Sequence, residues 1–455
     1  MRMNLDDTIA AIATPAGEGG LGVIRVSGPS AHRIAAPLFF RKGGKPGDPL
    51  ESHRLYFGTL LGAAGPVDEV CVVYMRSPRS YTRQDMVEIS CHGSPAVLRR
   101  ALNTLLEAGA RMAEPGEFTK RAFLSGRIDL SQAEGIIDLI KARSEGAARA
   151  AFGLMQGGLS QRIEAVRQKL VWTLSHLEAS IDFPDEEFIT ATDDELRKTL
   201  TEAARRLDIL IKSYDGGRFL KHGLSLAIIG KPNAGKSSLL NALLEEERAI
   251  VAEIPGTTRD LIRAEGELAG LKVELIDTAG LNPAPDEVEA EGIRRALKAA
   301  EGADAVIGLF DGARAWEESD TKVLEVLKKA RLHLAVINKA DMPQLIAWPD
   351  AALAPVKISV KEMRGLDQLL TKIAAFAHDA QALNHEEPVV TRARHREIFC
   401  RIAGDLRRAA DEIAAGRELA AASVWDALEE IKRFTGESYT EEVLSAIFDE
   451  FCVGK

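Results

Sequence analysis

The segment from Gly230 to Ser237 carries residue types whose spacing could bind the phosphates of a nucleotide. Its residues are Gly-Lys-Pro-Asn-Ala-Gly-Lys-Ser, which fits the pattern G-x-x-x-x-G-K-[S/T]. Glycines let backbone N–H groups close around phosphates, and the start of a following helix adds the positive end of its dipole. Lys236 would contact the β- and γ-phosphates, and the Ser237 hydroxyl would bind Mg²⁺. The alternative for a single match of this kind is a tight glycine turn.

Two further segments could complete a nucleotide site. Asp277-Thr-Ala-Gly280 follows an apolar run; its aspartate would hold Mg²⁺ through water, and the Gly280 N–H could sense the γ-phosphate. Asn338-Lys-Ala-Asp341 follows another apolar run. An aspartate at the edge of the base accepts hydrogen bonds from guanine N1–H and the 2-amino group, and adenine offers neither donor there. Asp341 therefore predicts selection of GTP over ATP, and the loss of such a pair typically costs about 2–5 kcal/mol.

The order of these segments strengthens the prediction. Ser359-Val-Lys361 follows a short apolar run, where a backbone N–H could meet guanine O6. Four such segments in order, each at the end of a predicted strand, argue against chance matches, and the block resembles a Ras-like, translation-factor-class GTPase domain. Gly256-Thr-Thr258 lies between the first two and is a candidate switch loop, with Thr258 as a second Mg²⁺ ligand. The alternative for this loop is a polar surface turn.

One position argues for an unusual hydrolytic mechanism. Leu281 follows the Asp-x-x-Gly segment, where Ras carries the glutamine that orients the attacking water. Because leucine cannot hydrogen-bond to water, hydrolysis needs another group or is slow. The carboxylate-rich stretch from Asp286 to Gly292 could provide that group, and its alternative use is a solvated helix face.

Apolar patterning predicts the strands that would position these residues. In the nucleotide-binding block, apolar runs alternate with helical segments, which is typical of a parallel, doubly wound α/β sheet. The first ~120 residues show a mixed α+β pattern with a helix at 96–106. The predicted strands are residues 21–26, 70–75 and 86–90 in the first region and 224–229, 272–276, 305–310, 332–337 and 356–358 in the block.

Helical spacing predicts long helices on both sides of this block. One apolar stripe runs from Leu159 to Ile181 and stops before Phe183-Pro184. A second runs from Leu196 to Leu210, and its helix is expected to end between Ser213 and Gly217. Helical spacing resumes from Ile398 to Ile431. Because a helix with one apolar face cannot bury it alone, we favour a single bundle into which the α/β domain is inserted over two separate helical domains.

The composition is that of a soluble globular protein of about three domains. The chain has 455 residues with a formal net charge of −10, and 46% of them are hydrophobic. The cysteines are too few and scattered for a disulfide scaffold, and the absence of a Cys-x-x-Cys pair disfavours a zinc site. No apolar run approaches the ~18–20 residues of a membrane span, and the N-terminus does not resemble a signal peptide. We expect a cytoplasmic protein that does not coat nucleic acid non-specifically.

Segments spread over the whole chain resemble the MnmE (TrmE) family of bacterial and organellar tRNA-modification GTPases. Leu281, the Pro-Asn pair inside the phosphate loop and the helical bundle that resumes after the block are all similar to this family. The other segments that carry the resemblance are Asp7–Ile9, Ala13–Pro15, Gly20–Gly28, Ser80–Glu88, His92–Gly93, Glu114–Leu124 and Phe451–Lys455.

The resemblance implies a multidomain fold: an α+β N-terminal domain, a split α-helical bundle and an inserted α/β Ras-like P-loop GTPase domain. The implied boundaries are 1–122 for tetrahydrofolate binding and dimerisation, 123–220 and 380–455 for the helical domain with its Cys-x-Gly-Lys tail, and 221–379 for the G domain. The family implies a homodimer that acts with the FAD-dependent MnmG on certain tRNAs. Together they would add an aminomethyl or carboxymethylaminomethyl group at C5 of the wobble uridine, with 5,10-methylene- or 5-formyl-tetrahydrofolate as one-carbon donor.

The resemblance also implies individual roles. Glu289 would orient the attacking water, and Cys452 would be a functional thiol; a small buried hydrophobe is the alternative for this cysteine. A K⁺ ion would replace an arginine finger between paired G domains, held by Asn233 and the backbone of Ala252, Ile254 and Thr257. Folate would be contacted by Arg25, Glu88, Arg127 and Lys455. The residues assigned to GTP binding are Asn233, Ala234, Gly235, Lys236, Ser237, Ser238, Ala252, Glu253, Ile254, Pro255, Gly256, Thr257, Thr258, Asp277, Thr278, Ala279, Gly280, Asn338, Lys339, Asp341, Ser359, Val360 and Lys361.

Two other function classes share the nucleotide-binding segments. A ribosome-assembly GTPase of the Era or EngA type would add a basic RNA-binding domain, whereas the final ~75 residues here have helical spacing and end in Phe-Cys-Val-Gly-Lys. A dimeric scaffold would use GTP only to switch conformation. Turnover of GTP in K⁺ but little in Na⁺ would separate the enzyme from the scaffold.

Overall fold

The computed structural model describes residues 6–44, 48–182, 191–246, 262–268, 271–277, 300, 302–376 and 388–455. The chain divides into two compact units, one of Met1–Ile137 with Leu428–Lys455 and the other of Asp138–Ala427. Among the described helices, none is long and apolar enough to cross a membrane.

The first unit is built on a seven-stranded sheet. Its strands are β1 (Ile9–Ile12), β2 (Gly19–Ser27), β3 (Phe39–Arg41), β4 (Leu55–Gly62), β5 (Gly65–Met75), β6 (Met86–Gly93) and β7 (Arg111–Met112). They lie in the order β3-β4-β5-β6-β2-β1-β7, and neighbours are antiparallel except for β1 and β7. The strands predicted at 21–26, 70–75 and 86–90 are confirmed as parts of β2, β5 and β6.

Three helices of this region are α1 (Ala31–Ala35), α2 (Pro95–Glu107) and α3 (Glu117–Leu124). Helix α2 confirms the helix predicted at 96–106. Its Leu98 and Leu105 share one buried apolar core with Ile24 of β2 and Val72 of β5. The helix therefore covers one face of the sheet and holds β2 and β6 in place, which matters for the side chains on those strands.

Four helices follow: α4 (Leu130–Lys141), α5 (Glu145–Met155), α6 (Gly158–Asp182) and α7 (Asp193–His222). The apolar stripe from Leu159 to Leu177 is buried along α6, as its spacing predicts. Helix α7 starts with a capping box in which Thr192 accepts from the backbone of Glu195 and the Glu195 carboxylate accepts from the backbone of Thr192.

The prediction for the end of α7 was wrong. We expected the helix to end between Ser213 and Gly217, but it continues to His222. Gly217 does not end the helix. Glycine is needed there because a Cβ would lie 2.2 Å from the backbone oxygen of Val390, which packs closely against the helix. The helix ends at Gly223, which adopts a φ of +84° that favours glycine.

The second sheet has six strands. Its elements are β8 (Leu224–Gly230), α8 (Lys236–Glu246), β9 (Ile262–Leu268), β10 (Leu271–Asp277), β11 (Ala305–Asp311), α9 (Glu318–Lys329), β12 (Leu332–Asn338), β13 (Val356–Lys357) and α10 (Leu366–Ala375). The order is β13-β12-β11-β8-β10-β9, and all pairs are parallel except β9 with β10. All five predicted strands of the block are confirmed, whereas β9 was not predicted.

Helices cover both faces of this sheet. On one face Leu226 and Ile228 of β8 pack with Leu239 of α8. On the other face Ile229 of β8 packs with Leu327 of α9. Because successive β8 residues point to opposite faces and both are buried, the doubly wound arrangement is confirmed.

The last helices are α11 (Ala393–Glu412), α12 (Arg417–Thr435) and α13 (Glu441–Phe448). Helix α11 packs along α7. Arg407 of α11 pairs with Asp208 of α7 at 2.6 Å, and Arg197 of α7 donates to the backbone oxygen of Ala410 at 3.3 Å. Helical segments from both sides of the α/β block therefore form one bundle, which confirms the insertion and contradicts two separate helical domains.

Candidate functional site

The phosphate-loop segment lies between β8 and α8, as the motif requires. Asn233 and Gly235 have φ angles of +66° and +99°, and such left-handed residues help to turn backbone N–H groups toward an anion. The Lys236 ammonium donates to the backbone oxygens of Gly230 at 2.9 Å and Lys231 at 3.0 Å. It therefore lies against the carbonyls of its own loop, where phosphate oxygens could replace them as partners.

A buried amide joins this loop to the last nucleotide-binding segment. The Asn338 side chain donates from Nδ2 to the Ala234 backbone oxygen at 2.9 Å, and its Oδ1 accepts from the Val360 N–H at 3.2 Å. Only 4% of Asn338 is exposed. A Cβ at Gly235 would lie 2.4 Å from Asn338 Nδ2, so the loop needs glycine there for this approach. The structure thus brings four predicted GTP-binding positions together.

Asp341 is held beside the same segment. Its Oδ1 accepts a hydrogen bond from the Ser359 hydroxyl at 2.6 Å. That hydrogen bond lowers the pKa of Asp341, so the carboxylate is charged and able to accept from a base. Lys339 adopts a φ of +65°, and its ammonium lies 2.7 Å from Asp311 Oδ2. Asp311 was not singled out from the sequence, although its place at the end of a strand was a usable signal.

Strand register puts the nucleotide-binding segments at one edge of the sheet. Asp277 ends β10 opposite Ile228 of β8, and Asp311 ends β11 opposite Asn338 of β12. Because the carboxyl ends of parallel strands meet at one edge, the ends of β8, β10 and β12 lie together. This is the edge at which open α/β sheets bind ligands.

Part of the predicted site lies outside the described residues. For Asp277 only the backbone position is described. The other predicted residues outside the description are Ala252, Glu253, Ile254, Pro255, Gly256, Thr257, Thr258, Thr278, Ala279, Gly280 and Glu289.

Lys231 of the phosphate loop forms ion pairs with the start of α9 that sequence reasoning missed. Its ammonium lies 2.8 Å from Glu317 Oε2 and 2.8 Å from Asp320 Oδ2 at the start of α9. Burial lowers the pKa of Lys231, but hydrogen bonds to Asp320 and Glu317 outweigh it, so the pKa is raised and the group is charged. The ion pairs fix the phosphate loop to α9. The motif gave no signal for them, because this position is unrestricted in the pattern.

A second cluster lies in the N-terminal unit and contains the four residues predicted to contact folate. Arg25 of β2 is directly opposite Glu88 of β6, and Arg25 Nε lies 2.7 Å from Glu88 Oε1. Arg25 Nη1 also donates to the Gly454 backbone oxygen at 3.4 Å. Burial and then the charge of Arg25 lower the pKa of Lys455, against the opposite effect of Glu88. The C-terminal residues therefore lie within reach of the cross-strand pair.

Tyr81 connects Arg25 with Arg127. Their guanidinium carbons lie 5.7 Å and 4.6 Å from the centre of the Tyr81 ring, and Arg127 Nη1 donates to the Tyr81 backbone oxygen at 2.9 Å. Burial raises the pKa of Tyr81, whose hydroxyl lies 2.9 Å from Thr119 Oγ1. Sequence reasoning missed Tyr81 as a site residue, although it stands inside the segment Ser80–Glu88 that carried the resemblance.

The C-terminal tail is fixed against this unit by its backbone. Gly116 donates to the Cys452 carbonyl at 3.3 Å, and Phe118 donates to the Lys455 carbonyl at 3.2 Å. Gly454 has a φ of +92°, and a Cβ there would lie 2.3 Å from the backbone oxygen of Ile12, so only glycine fits. Cys452 is a free, exposed cysteine rather than a buried hydrophobe.

Comparison with known proteins covers the whole chain. A family model described as the MnmE helical domain matches residues 130–452, and one described as the GTP-binding protein TrmE N-terminus matches residues 8–127. The tRNA modification GTPase MnmE of Geobacter sulfurreducens is 45% identical over 100% of both chains, and that of Geobacter metallireducens is 43% identical over 100% of both. The G domain of the T. maritima FeoB iron transporter is 26% identical over 34% of this chain and 98% of its own, with a TM-score of 0.26 that is too low to add to the assignment. The full-length matches place the chain outside the Era and EngA types, and it belongs to the MnmE (TrmE) family of tRNA modification GTPases.

Proposed function

We propose that this GTPase is stimulated by K⁺ and acts with an FAD-dependent MnmG-type partner on the wobble uridine of certain tRNAs. The product would carry an aminomethyl or carboxymethylaminomethyl group at C5. The observation that carries the GTP-dependent part is the Asn338 amide, which bonds both the phosphate loop and the segment expected to meet guanine. The names of the full-length relatives support tRNA as the substrate.

In this proposal the nucleotide is recognised at both ends. Lys236 exchanges its carbonyl partners for oxygens of the β- and γ-phosphates, and the start of α8 adds positive dipole. Asp341 accepts from guanine N1–H and the 2-amino group, a role that its lowered pKa supports. The Ser359–Lys361 segment offers a backbone N–H to guanine O6.

The predicted oxygen ligands suit two different cations, Mg²⁺ and K⁺. Hydroxyl oxygens of Ser237 and Thr258 are the kind of ligand that Mg²⁺ prefers, with Asp277 acting through water. The side chain of Asn233 and the backbone oxygens of Ala252, Ile254 and Thr257 would suit K⁺. When bound, the cations offset negative charge that develops between the phosphates. Glu289 would orient the attacking water, because Leu281 cannot.

The N-terminal domain, residues 1–122 in this proposal, binds 5,10-methylene- or 5-formyl-tetrahydrofolate and forms the homodimer. Arg127 supplies charge for the carboxylates of folate, whereas Arg25 and Glu88 meet its pterin, from whose edge Glu88 can accept a hydrogen bond. Their convergence around Tyr81, with Lys455 beside the cross-strand pair, supports the binding role. Cys452, whose thiol is exposed, would act as a reactive group. The enzyme would be cytoplasmic.

The test is mass analysis of wobble uridines in a strain that lacks this chain. We expect the C5-modified nucleosides to disappear and to return when the full-length chain is restored. Restoration with Asp341→Asn serves as a matched variant, because its defect is confined to the nucleotide site. Unchanged wobble uridines in the deletion strain would contradict the proposed tRNA chemistry.

A further inference from the structure

A shallow, open depression of about 500 Å³ in the N-terminal unit, called the cavity below, has a lining rich in arginine. Arg79, Arg83 and Arg127 contribute guanidinium groups, and His53 and Tyr81 lie beside them. Among the described residues that line this cavity, none is acidic. Several guanidinium groups around one concave surface favour a ligand that carries several carboxylates or phosphates.

The cavity adjoins the cluster proposed to bind folate. Arg127 and Tyr81 line the cavity, and the same Tyr81 ring lies under the guanidinium groups of Arg127 and Arg25. The Arg127 guanidinium is also held by the Tyr81 backbone oxygen at 2.9 Å. Tyr81 and Arg127 therefore form a shared boundary between the Arg25–Glu88 pair and the cavity.

The other two arginines of the lining, Arg79 and Arg83, retain donors for a ligand. Arg79 is exposed and makes no side-chain hydrogen bond or ion pair with any residue that the structure describes. Arg83 uses Nη1 on the Ser125 backbone oxygen at 3.0 Å, which leaves its other N–H groups. The loop that carries both is fixed internally, since the Ser77 N–H donates to Asp85 Oδ1 at 2.9 Å and the Ser77 hydroxyl donates to the Arg83 carbonyl at 2.8 Å.

We propose that this cavity binds the oligo-γ-glutamate tail of a folate whose pterin lies at the Arg25–Glu88 pair. Each γ-linked glutamate adds one carboxylate, and an arginine can pair with it through two parallel hydrogen bonds. The inference rests on the proposed folate binding and adds that the enzyme distinguishes polyglutamylated folates from monoglutamates. The phosphates of RNA are the other polyanion to consider, but contiguity with the folate cluster favours the tail.

Calorimetry on the full-length protein with 5-formyl-tetrahydrofolate monoglutamate and triglutamate tests this. We expect the triglutamate to bind about fivefold more tightly at low ionic strength, with the advantage shrinking as salt screens the pairs. Arg79→Ala should remove most of the advantage and leave monoglutamate affinity unchanged, and Arg79→Lys should retain most of it. Arg83→Ala is a second variant with the same expected direction.

The matched control is Arg76→Ala, because Arg76 is an exposed arginine of the same loop that does not line the cavity. It should keep the full preference for the triglutamate. Arg25→Ala should weaken both ligands, since it acts on the part of folate that they share.

The outcomes separate this inference from the folate proposal. If both ligands bind wild-type protein equally and Arg25→Ala weakens both, folate binding stands and the tail site is overturned. If neither ligand binds, the folate proposal fails and the tail site fails with it. A triglutamate preference that survives in both Arg79→Ala and Arg83→Ala overturns the cavity assignment. The cavity assignment is also overturned if Arg79→Ala and Arg83→Ala lose affinity for a short tRNA anticodon stem-loop but keep the preference for the triglutamate.

Discussion

The side-chain amide of Asn338 donates to the backbone oxygen of Ala234 at 2.9 Å, although the two residues are 104 positions apart in the chain. The same side chain accepts from the Val360 N–H. The loop that would hold phosphates and the segment that would meet guanine are therefore parts of one hydrogen-bonded structure. Such a connection lets both ends of a nucleotide be held in a fixed relation.

Asn338→Ala should weaken GTP and GDP together. The substitution leaves the Ala234 carbonyl and the Val360 N–H without their side-chain partner, at a cost of about 1–3 kcal/mol in nucleotide binding. Titration with a fluorescent nucleotide measures the effect, and Asn241→Ala on the exposed side of α8 is the matched control. Unchanged affinity for both nucleotides would show that the amide does not shape the site.

Asp341→Asn should change which base is preferred. The guanine donors lose their acceptor, so GTP affinity should fall by about 2–5 kcal/mol while xanthosine triphosphate gains. The Ser359 hydroxyl can still donate to the new side-chain oxygen, so the loop should keep its shape. Competition titrations measure both nucleotides, with the exposed Asp367→Asn as control. Retained GTP affinity would remove Asp341 from base reading.

Arg25→Ala should weaken binding of 5-formyl-tetrahydrofolate without unfolding the domain. The Arg25–Glu88 pair is partly exposed, at 20% and 27% of the two side chains. Its loss should therefore cost about 1–3 kcal/mol of stability, which is below the roughly 5–15 kcal/mol by which domains are typically stable. Calorimetry gives the affinity and a melting curve checks the fold, with exposed Arg33→Ala as the matched variant. An unaltered affinity would refute this site.

Glu117→Gln should destabilise the N-terminal unit and reduce its sensitivity to acid. The Glu117 carboxylate accepts from Arg111 at 2.7 Å and from Arg121 at 2.9 Å, and the Glu117 and Arg121 side chains are each 1% exposed. Burial raises the pKa of Glu117, but the hydrogen bonds from Arg111, the Glu114 backbone and Arg121 outweigh it, so the pKa lies below 4.5. Because Arg121 keeps its ion pair with Asp7 Oδ1, losing the Glu117 charge should cost about 1–3 kcal/mol.

The sign of the pH effect follows from that lowered pKa. The charged carboxylate contributes stability above the unfolded-state pKa, and the contribution is lost as pH falls below about 4.5 through the folded-state value. Melting temperatures between pH 7 and pH 3 should fall steeply for the wild type and less steeply for Glu117→Gln. The exposed Glu107→Gln should follow the wild type. Parallel curves for Glu117→Gln and wild type would contradict the assignment.

Sequence patterns predicted the structural features that depend on residues close together in the chain. The phosphate loop, the five strands of its block and the helical stripes all rest on neighbouring residues, and the structure confirms them. Strand β9 was missed because charged residues and Gly266 interrupt its apolar pattern, although Ile262, Ala264 and Leu268 alternate in the strand manner.

The remaining features depend on contacts between distant residues. A glycine such as Gly217 usually indicates the end of a helix. Here its role is to let the backbone of Val390 approach closely, and no local pattern shows that contact. The contacts of Lys231 with Asp320 and of Arg127 with Tyr81 likewise join separate elements. Such side chains were identified only where a family resemblance already marked them.

The most direct test of the central claim is GTP turnover by the full-length protein in KCl and in NaCl at equal ionic strength. A cation held between the phosphates by a dimer predicts turnover at least about tenfold faster in K⁺, equivalent to about 1.4 kcal/mol of barrier. It also predicts that G domains associate with GDP and aluminium fluoride in K⁺ and not in Na⁺. Equal turnover in the two salts would contradict it.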